Sequence, residues 1–380
     1  MAGEEVQFGL LGPLDLRLNH NSVPLGTPKQ RAVLAVLIIN RNRPVAIDKL
    51  IDAVWGSEPP VAARPNVHSY VSNVRRLVSA AGIDPHGVVA KAPNGYRVIA
   101  ADSQCDLARF LAARDAGLNA AAAGQFEKAS TSLAAALAEW RGPALEDLQD
   151  FAFAEEFARV QAENKLSATI AHAEAEIACG RAGSIIGGLE ALTTEYPYRE
   201  PIWGHLITAY YLNGLQADAL DAYHRLKRVL ADDLGIDPGA QVRALFNRVL
   251  RQLPLNVHKA AKSNAEKTIL AIDAGNSSTD APAAALVDST GRRHPLAGRA
   301  TRIGRSRDND IVVADPLVSR HHAVVVDNTT HFDLIDLGSA NGVYILGERI
   351  SGSAVLNDGD RVSFGEQQYS FQKHAAPDTG

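Results

Sequence analysis

The chain has 380 residues, 46% of them hydrophobic and 21% charged, with a net charge of −5, which excludes disordered and collagen-like classes and leaves room for two or three domains. Ala32–Ile39, the strongest apolar run near the N-terminus, is too short to cross a bilayer, and the opening residues carry neither the basic nor the apolar stretch of a secretory signal, so a cytoplasmic protein is expected. Charge is uneven along the chain: residues 1–101 hold 11 Lys and Arg against 7 Asp and Glu, and residues 102–255 hold 14 against 21, the asymmetry expected if only the first part meets a polyanion.

In residues 1–101, Val6–Leu11 and Leu14–Leu18 read as strands around Gly12-Pro13. Thr27-Pro28 opens a helix over Lys29–Asn40, and a second, Ile47–Trp55, stops at Gly56 before Pro59-Pro60. A third covers Ala62–Ala81, closed by Gly82. Val88–Ala92 and Tyr96–Ala100 flank Pro93-Asn94-Gly95, a strong hairpin signal. Helix, short connection, helix, hairpin is the order of a winged helix-turn-helix. In the third helix Val67, Val71, Val74 and Val78 form a stripe to be buried. Its other faces carry Arg64, His68, Ser69, Ser72, Asn73, Arg75 and Arg76, residue types that pair with base edges or hold phosphates. The hairpin adds Lys91, Asn94 and Arg97. The alternative is an amphipathic helix whose polar face is merely solvated.

Residues 102–255 are helical by period and rich in Ala, Leu and Glu. Gly124 is followed five residues on by Ala129, and Gly214 by Ala219, with a third unit near Gly183; this reads as a repeat of helix pairs, with coincidence in an Ala-rich region as the alternative. Cys105 and Cys179 read as small buried hydrophobes in a reducing compartment, with a disulfide between them as the alternative. Residues 256–282 are polar and small-residue rich and read as a linker. Residues 283–375 alternate with period two between Gly, Asn and Asp turns, the pattern of a β-sandwich.

Three loops in this last region carry chemistry: Gly304–Asp310 (GRSRDND), Val318–Ala323 (VSRHHA) and Asp336–Gly342 (DLGSANG). Arg305 and Arg320 offer guanidinium forks for a phosphate and Ser319 a hydroxyl, while Asn341 bonds a peptide backbone in both directions. Gly304 and Gly342 permit tight turns. No phosphate loop, GxGxxG, GxSxG, HExxH or paired CxxC is present, and His321-His322 lacks a partner at metal-ligand spacing. An enzyme is therefore not expected, and neither cofactor nor metal is called for.

Two resemblances sharpen this reading. The runs TPKQRAVLAVLIINRNRPV, LIDAVWG, SYVSNVRRL and PNGYRV resemble the DNA-binding domain of the Streptomyces antibiotic regulatory protein (SARP) family, related to the output domain of OmpR-type response regulators. EWRGPALEDL, the long run from Tyr196 to Gly239, and RVLRQ resemble the bacterial transcriptional activation domain that follows it there, a TPR-like helical domain. Asn73 stands where many relatives have Arg, and no receiver domain precedes the helix-turn-helix. GRxxxNDI, VSRxHA and DLGSxNG are similar to the forkhead-associated (FHA) domain, which binds phosphothreonine. Carried over, that resemblance makes Arg305, Ser319 and Arg320 phosphate contacts, Asn341 the backbone clamp, Ser339 an assistant, and Gly304, His322 and Gly342 loop-shaping residues. Val343 replaces the usual Thr, and Leu346 the usual Asn, beyond these contacts.

The expected fold is therefore multidomain α+β, with a winged helix-turn-helix at 1–101, an all-α domain at 102–255, a linker at 256–282 and an FHA β-sandwich at 283–375. The expected function is a DNA-binding transcriptional regulator that docks phosphothreonine on a Ser/Thr protein kinase. The resemblance also implies RNA polymerase as a partner and a homodimer on direct repeats. The alternative is an adaptor, decoy or inhibitor in the kinase pathway with little promoter activity of its own.

Overall fold

The computed structural model describes residues 6–56, 58–276, 284–296, 300–306, 309–327, 332–350 and 352–373. They form two compact units, one reaching Ile269 and one beginning at Leu270.

The first unit opens with an antiparallel sheet of β1 (Val6–Gly9), β2 (Asp15–Leu18) and β3 (Asn21–Ser22), in that order. Helix α1 (Pro28–Ile39) starts where Thr27 Oγ1 accepts the Gln30 N–H, with Pro28 in its first turn. It is buried on nearly every face, as its continuous apolar run requires. β4 (Val45–Ala46) leads into α2 (Ile47–Trp55), closed by Gly56 at φ +64°. Then come α3 (Ala63–Ala80), the single turn α4 (Pro85–Val88) and the hairpin β5 (Val89–Ala92) and β6 (Gly95–Val98). Asn94 takes the left-handed backbone at the hairpin tip, which Asn tolerates better than most residues. β6 lies between β4 and β5. Val67, Val71, Val74 and Val78 are all buried, so the predicted stripe is the face of α3 that holds it to the domain.

The rest of the first unit is helical: α5 (Asp106–Ala122), α6 (Phe126–Ala138), α7 (Ala152–Ala178), α8 (Ile186–Glu195), α9 (Glu200–Leu212), α10 (Gln216–Leu234) and α11 (Ala240–Leu250). The helix-pair repeat is real. Gly124 and Gly214 take positive φ between paired helices, and Ala129 and Ala219 are fully buried where the second helix of each pair packs. The third unit turns at Gly180 (φ +76°), not Gly183, because that is where α7 ends. Cys105 is buried and Cys179 half-buried, and both thiols are free.

Within this unit the N-terminal sheet and α1 share a well-bonded seam with the helical part. The buried Asp106 carboxylate accepts the N–H groups of Leu10 (2.8 Å), Leu11 (3.0 Å) and Leu107 (2.7 Å), and Arg141 reaches the same carboxylate at 3.3 Å. Asp147 accepts the Leu14 N–H and pairs with Arg31 at 2.6 Å.

The stretch expected as a linker contains the division between the two units and is largely helical. Val257–Asn276 is a helix, α12. Asn256 caps it through the Lys259 N–H, and Ala261 and Ala265, one helical turn apart, are buried. Asn264 donates to the Glu174 carboxylate of α7 (2.6 Å), and the His258 ring meets Phe126 of α6. Small residues spaced four apart pack against helices as readily as they populate linkers, and composition alone does not separate the two uses. Residues 277–282 of that stretch lie outside the described residues.

The second unit holds two sheets. One orders β10 (Ile311–Val312), β9 (Ala300–Gly304), β11 (Ala323–Asp327), β12 (Phe332–Asp336) and β15 (Ser353–Leu356). The other orders β14 (Glu348–Arg349), β13 (Val343–Ile345), β16 (Arg361–Phe364), β17 (Gln367–Lys373), β7 (Ala284–Asp288) and β8 (Arg293–Pro295). Ile303, Val325, Leu334, Phe364 and Phe371 fill the core with side chains from both sheets.

Candidate functional site

Each unit carries one candidate surface. In the first, the structure sorts the ten predicted DNA contacts. Ser69, Ser72 and Arg76 of α3 are exposed, as are Lys91 and Asn94 of the hairpin. Arg64 is exposed and pairs with Asp48 at the start of α2. His68 is exposed, with its Nδ1 hydrogen-bonded to the Tyr96 hydroxyl at 2.6 Å. Arg97 is half-buried, and its Nε has no hydrogen-bond partner among the described residues.

Two of the predicted contacts hold the scaffold instead. Asn73 Nδ2 donates to Gln30 Oε1 of α1 (3.0 Å). Arg75 places Nε and Nη2 on the Val89 carbonyl (2.9 and 2.7 Å) with its guanidinium over the Tyr96 ring. Arg75 flanks the valine stripe, whereas Asn73 lies as far round the helix from it as Ser72 and is engaged because Gln30 stands beside it. Asn73, standing where many relatives carry Arg, thus contributes a helix–helix contact.

In the second unit the three loops meet at one end of the sandwich. Backbone bonds tie the first to the second: Arg305 N–H to Ser319 O (2.9 Å), Ser306 N–H to Arg320 O (3.1 Å) and His322 N–H to Ile303 O (2.9 Å). Leu337 N–H to His322 O (3.1 Å) ties the second to the third. His322 is fully buried. Its Nδ1 accepts the Ser319 N–H and its Nε2 bonds the Gly342 carbonyl (3.2 Å), which fixes the proton on Nε2. Burial pushes this imidazole below its ordinary pKa, so it remains a neutral strut between two loops.

On this frame Arg305 and Arg320 are exposed, and Arg305 is steadied by its Nε on the Val318 carbonyl. Ser319 Oγ accepts the Ala340 N–H (3.2 Å), which sets the hydroxyl between the loops. Asn341 donates Nδ2 to the Leu317 carbonyl (2.7 Å), and its Oδ1 accepts no bond among the described residues. Gly304 is required for close approach, since a Cβ there would overlap the Arg320 carbonyl. Gly342 sits at φ +80°, a backbone that L side chains rarely adopt, with the exposed Arg349 side chain lying across it.

Ser339 departs from its expected place. It is 6% exposed, and its hydroxyl is buried without a partner among the described residues. Its N–H bonds Asp336 Oδ1, so it shapes the third loop from beneath rather than facing solvent. Arg307 and Asp308 of the first loop lie outside the described residues.

Sequence reasoning assigned no role to Asn309. Its buried carboxamide donates to Ser306 O (2.8 Å) and Arg320 O (2.7 Å) and meets His321 Nδ1 at 3.3 Å. The signal was present, as the Asn of the GRxxxND run. Arg349, packed across Gly342, carried no sequence signal.

Three family models match the chain in order: a transcriptional regulatory protein C-terminal domain at residues 21–98, a bacterial transcriptional activator domain at 105–250 and an FHA domain at 301–365. The transcriptional regulatory protein EmbR of Mycobacterium tuberculosis is 54% identical over 379 residues, covering 99% of this chain and 98% of the relative. The chain belongs to the EmbR family of transcriptional regulators. MoaR1 of Mycobacterium tuberculosis, another transcriptional regulatory protein, is 49% identical over 252 residues, covering 66% of this chain and 81% of its own length. A solved structure of Mycobacterium tuberculosis EmbR in complex with a low-affinity phosphopeptide matches with a TM-score of 0.71 at 55% identity, covering 98% of this chain and 99% of that one. The winged helix, the helical activator domain and the FHA sandwich of this EmbR-family chain are thus those expected from its sequence, and no helix among the described residues is long and apolar enough to cross a membrane.

Proposed function

We propose that this chain is a cytoplasmic, non-catalytic regulator that reads promoter DNA with its winged helix and docks a phosphothreonine of a Ser/Thr protein kinase with its FHA domain, so that kinase signalling alters transcription. The observation that carries the reading is the convergence of Arg305, Arg320, Ser319 and Asn341 on one end of the sandwich, on loops held by the neutral His322 and by Asn309. Two guanidinium groups and a hydroxyl suit a phosphate dianion, and a free carboxamide oxygen suits a peptide N–H. On the DNA side Ser69, Ser72, Arg76 and Lys91 supply phosphate and base contacts, with His68 among them. RNA polymerase is the further partner this role requires. Coupling demands that the phosphopeptide prefer one state of the protein over another.

Calorimetry with the full chain tests it: a phosphothreonine peptide should bind, its unphosphorylated counterpart should not, and Arg305→Ala should cost about 1.5–3 kcal/mol, the scale of a charged hydrogen bond. Equal binding of the two peptides would refute the phosphate reading. The inward placement of Asn73 and Arg75 favours, as a second reading, an adaptor or decoy that binds the kinase with little promoter activity. Phosphopeptide binding without a salt-dependent shift of any promoter fragment would select it.

A further inference from the structure

His68 stands on the outward side of α3, and one of its two ring nitrogens is already committed. Nδ1 lies 2.6 Å from the hydroxyl of Tyr96 on β6, the hairpin strand packed against that helix. Tyr96 is only 8% exposed, and among the described residues its hydroxyl has no other hydrogen-bond partner. Its ring is held on two sides. The Arg75 guanidinium lies 5.5 Å from its centroid, anchored in turn on the Val89 carbonyl, and the His68 ring meets it edge-on at 5.9 Å. The hydroxyl therefore cannot swing away to another acceptor without dismantling this stack.

A phenol is a better proton donor than acceptor, and the acceptor within its reach is His68 Nδ1. A histidine's tautomer is set by the bond its other nitrogen makes. Nδ1 as acceptor leaves the proton on Nε2, the ring nitrogen turned away from the hairpin. A protonated imidazole would also carry a proton there.

From this geometry we infer that Tyr96 is a positioning residue that makes His68 an obligatory Nε2–H donor on the reading helix, directed at a hydrogen-bond acceptor of the DNA. The acceptor chemistry is shared by two sources, a purine edge in the major groove (N7, or O6 of guanine) and a phosphate oxygen. The inference rests on the DNA-reading role proposed above, but the tautomer itself does not depend on DNA.

Two measurements on the full-length protein separate the matters. In the first, the chain carries ¹⁵N-histidine and long-range proton–nitrogen correlations are recorded without DNA, with His68→Ala identifying the signal. His68 should show a protonated Nε2 and a bare Nδ1, and Tyr96→Phe, which keeps the ring and removes the hydroxyl, should move it toward a mixture. A proton on Nδ1 alone, or a pattern indifferent to Tyr96→Phe, would overturn the inference.

In the second, affinity is measured for a duplex that the wild-type protein has selected from a randomised pool, beside a scrambled duplex. His68→Ala should weaken binding about tenfold and Tyr96→Phe about threefold, within the range of one hydrogen bond. The double variant should be no weaker than His68→Ala alone, because Tyr96 acts through His68. A Tyr96→Phe loss that persists without His68, or no loss with His68→Ala, refutes the positioning role. A loss confined to the selected duplex and reproduced by 7-deazapurines assigns the acceptor to a base. An equal loss on both duplexes assigns it to a phosphate. If the pool yields no selected duplex, the DNA-reading role fails, while the tautomer still stands or falls on the spectrum.

Discussion

Asp106→Ala should destabilise the first unit more than any surface substitution. The carboxylate is 3% exposed and accepts the N–H groups of Leu10 and Leu11, both fully buried, across a sequence separation of 96 and 95 residues. Alanine leaves both donors buried without an acceptor, at about 1–3 kcal/mol each. The third donor, Leu107, belongs to the first turn of α5 beside the carboxylate itself, and Arg141 is partly exposed and rehydrates. A loss of about 3–4 kcal/mol follows. Urea unfolding of the full chain, followed by the helical circular dichroism signal, reports it as a lower midpoint for the first transition, and the midpoint of the sandwich should not move. A loss below about 1 kcal/mol, the scale of a single exposed contact, would mean that the seam between the DNA-reading and helical domains is not held by this carboxylate.

Other substitutions test separate parts of the structure. Burial raises Glu174 to about 7, with Asn264 opposing, and pushes the neighbouring His205 below its ordinary value. A raised carboxylate pKa stabilises the fold fully below the unfolded value of about 4.5 and loses that contribution as pH climbs through about 7. Glu174 by itself therefore contributes a loss on the order of 2 kcal/mol between pH 5 and 8, and the depressed His205 offsets it with the opposite slope, so Glu174→Gln should tilt the stability profile toward a gain with rising pH; a profile unchanged in the variant would refute the assignment. Gly342→Ala meets both a positive φ and Arg349, and should destabilise the sandwich by about 2 kcal/mol and weaken phosphopeptide binding, as read by thermal melting and calorimetry. Arg75→Gln should cost about 1–2 kcal/mol of stability by freeing the Val89 carbonyl and the Tyr96 ring. Arg76→Gln should leave stability unchanged and lower DNA affinity with a shallower salt dependence; the reverse pattern would exchange their roles.

Local physics was legible without coordinates. Thr27-Pro28 ahead of an apolar run, Gly56 and Gly82 after helices, and Asn94-Gly95 between β-rich segments each settle a chain direction through φ preference or a single capping bond, and each is found where it was expected. The three FHA loops were legible for a related reason. Gly304, Arg305, Ser319, Arg320 and Asn341 are short-range motifs whose residue types are dictated by turn geometry and phosphate chemistry.

What required the tertiary structure is every role set by a partner distant in sequence. Asn73 looks like Ser72 on a helical wheel, and only the position of Gln30 turns it inward, while Val89 supplies the acceptor that holds Arg75 beside the valine stripe. Ser339 looks like Ser319 until its burial is known. Asp106 is an unremarkable acid at a helix start until Leu10 and Leu11 arrive above it, and the alanines of α12 resemble a linker until α7 supplies Glu174 to receive Asn264. The sequence by itself determined the kinds of domain and the chemistry of their loops, because those follow from backbone preferences and side-chain types within a few residues. Which polar groups face DNA or phosphate, and which are consumed in holding the domains, was decided only by the fold, because a buried hydrogen bond costs or contributes according to the partner that long-range packing brings to it.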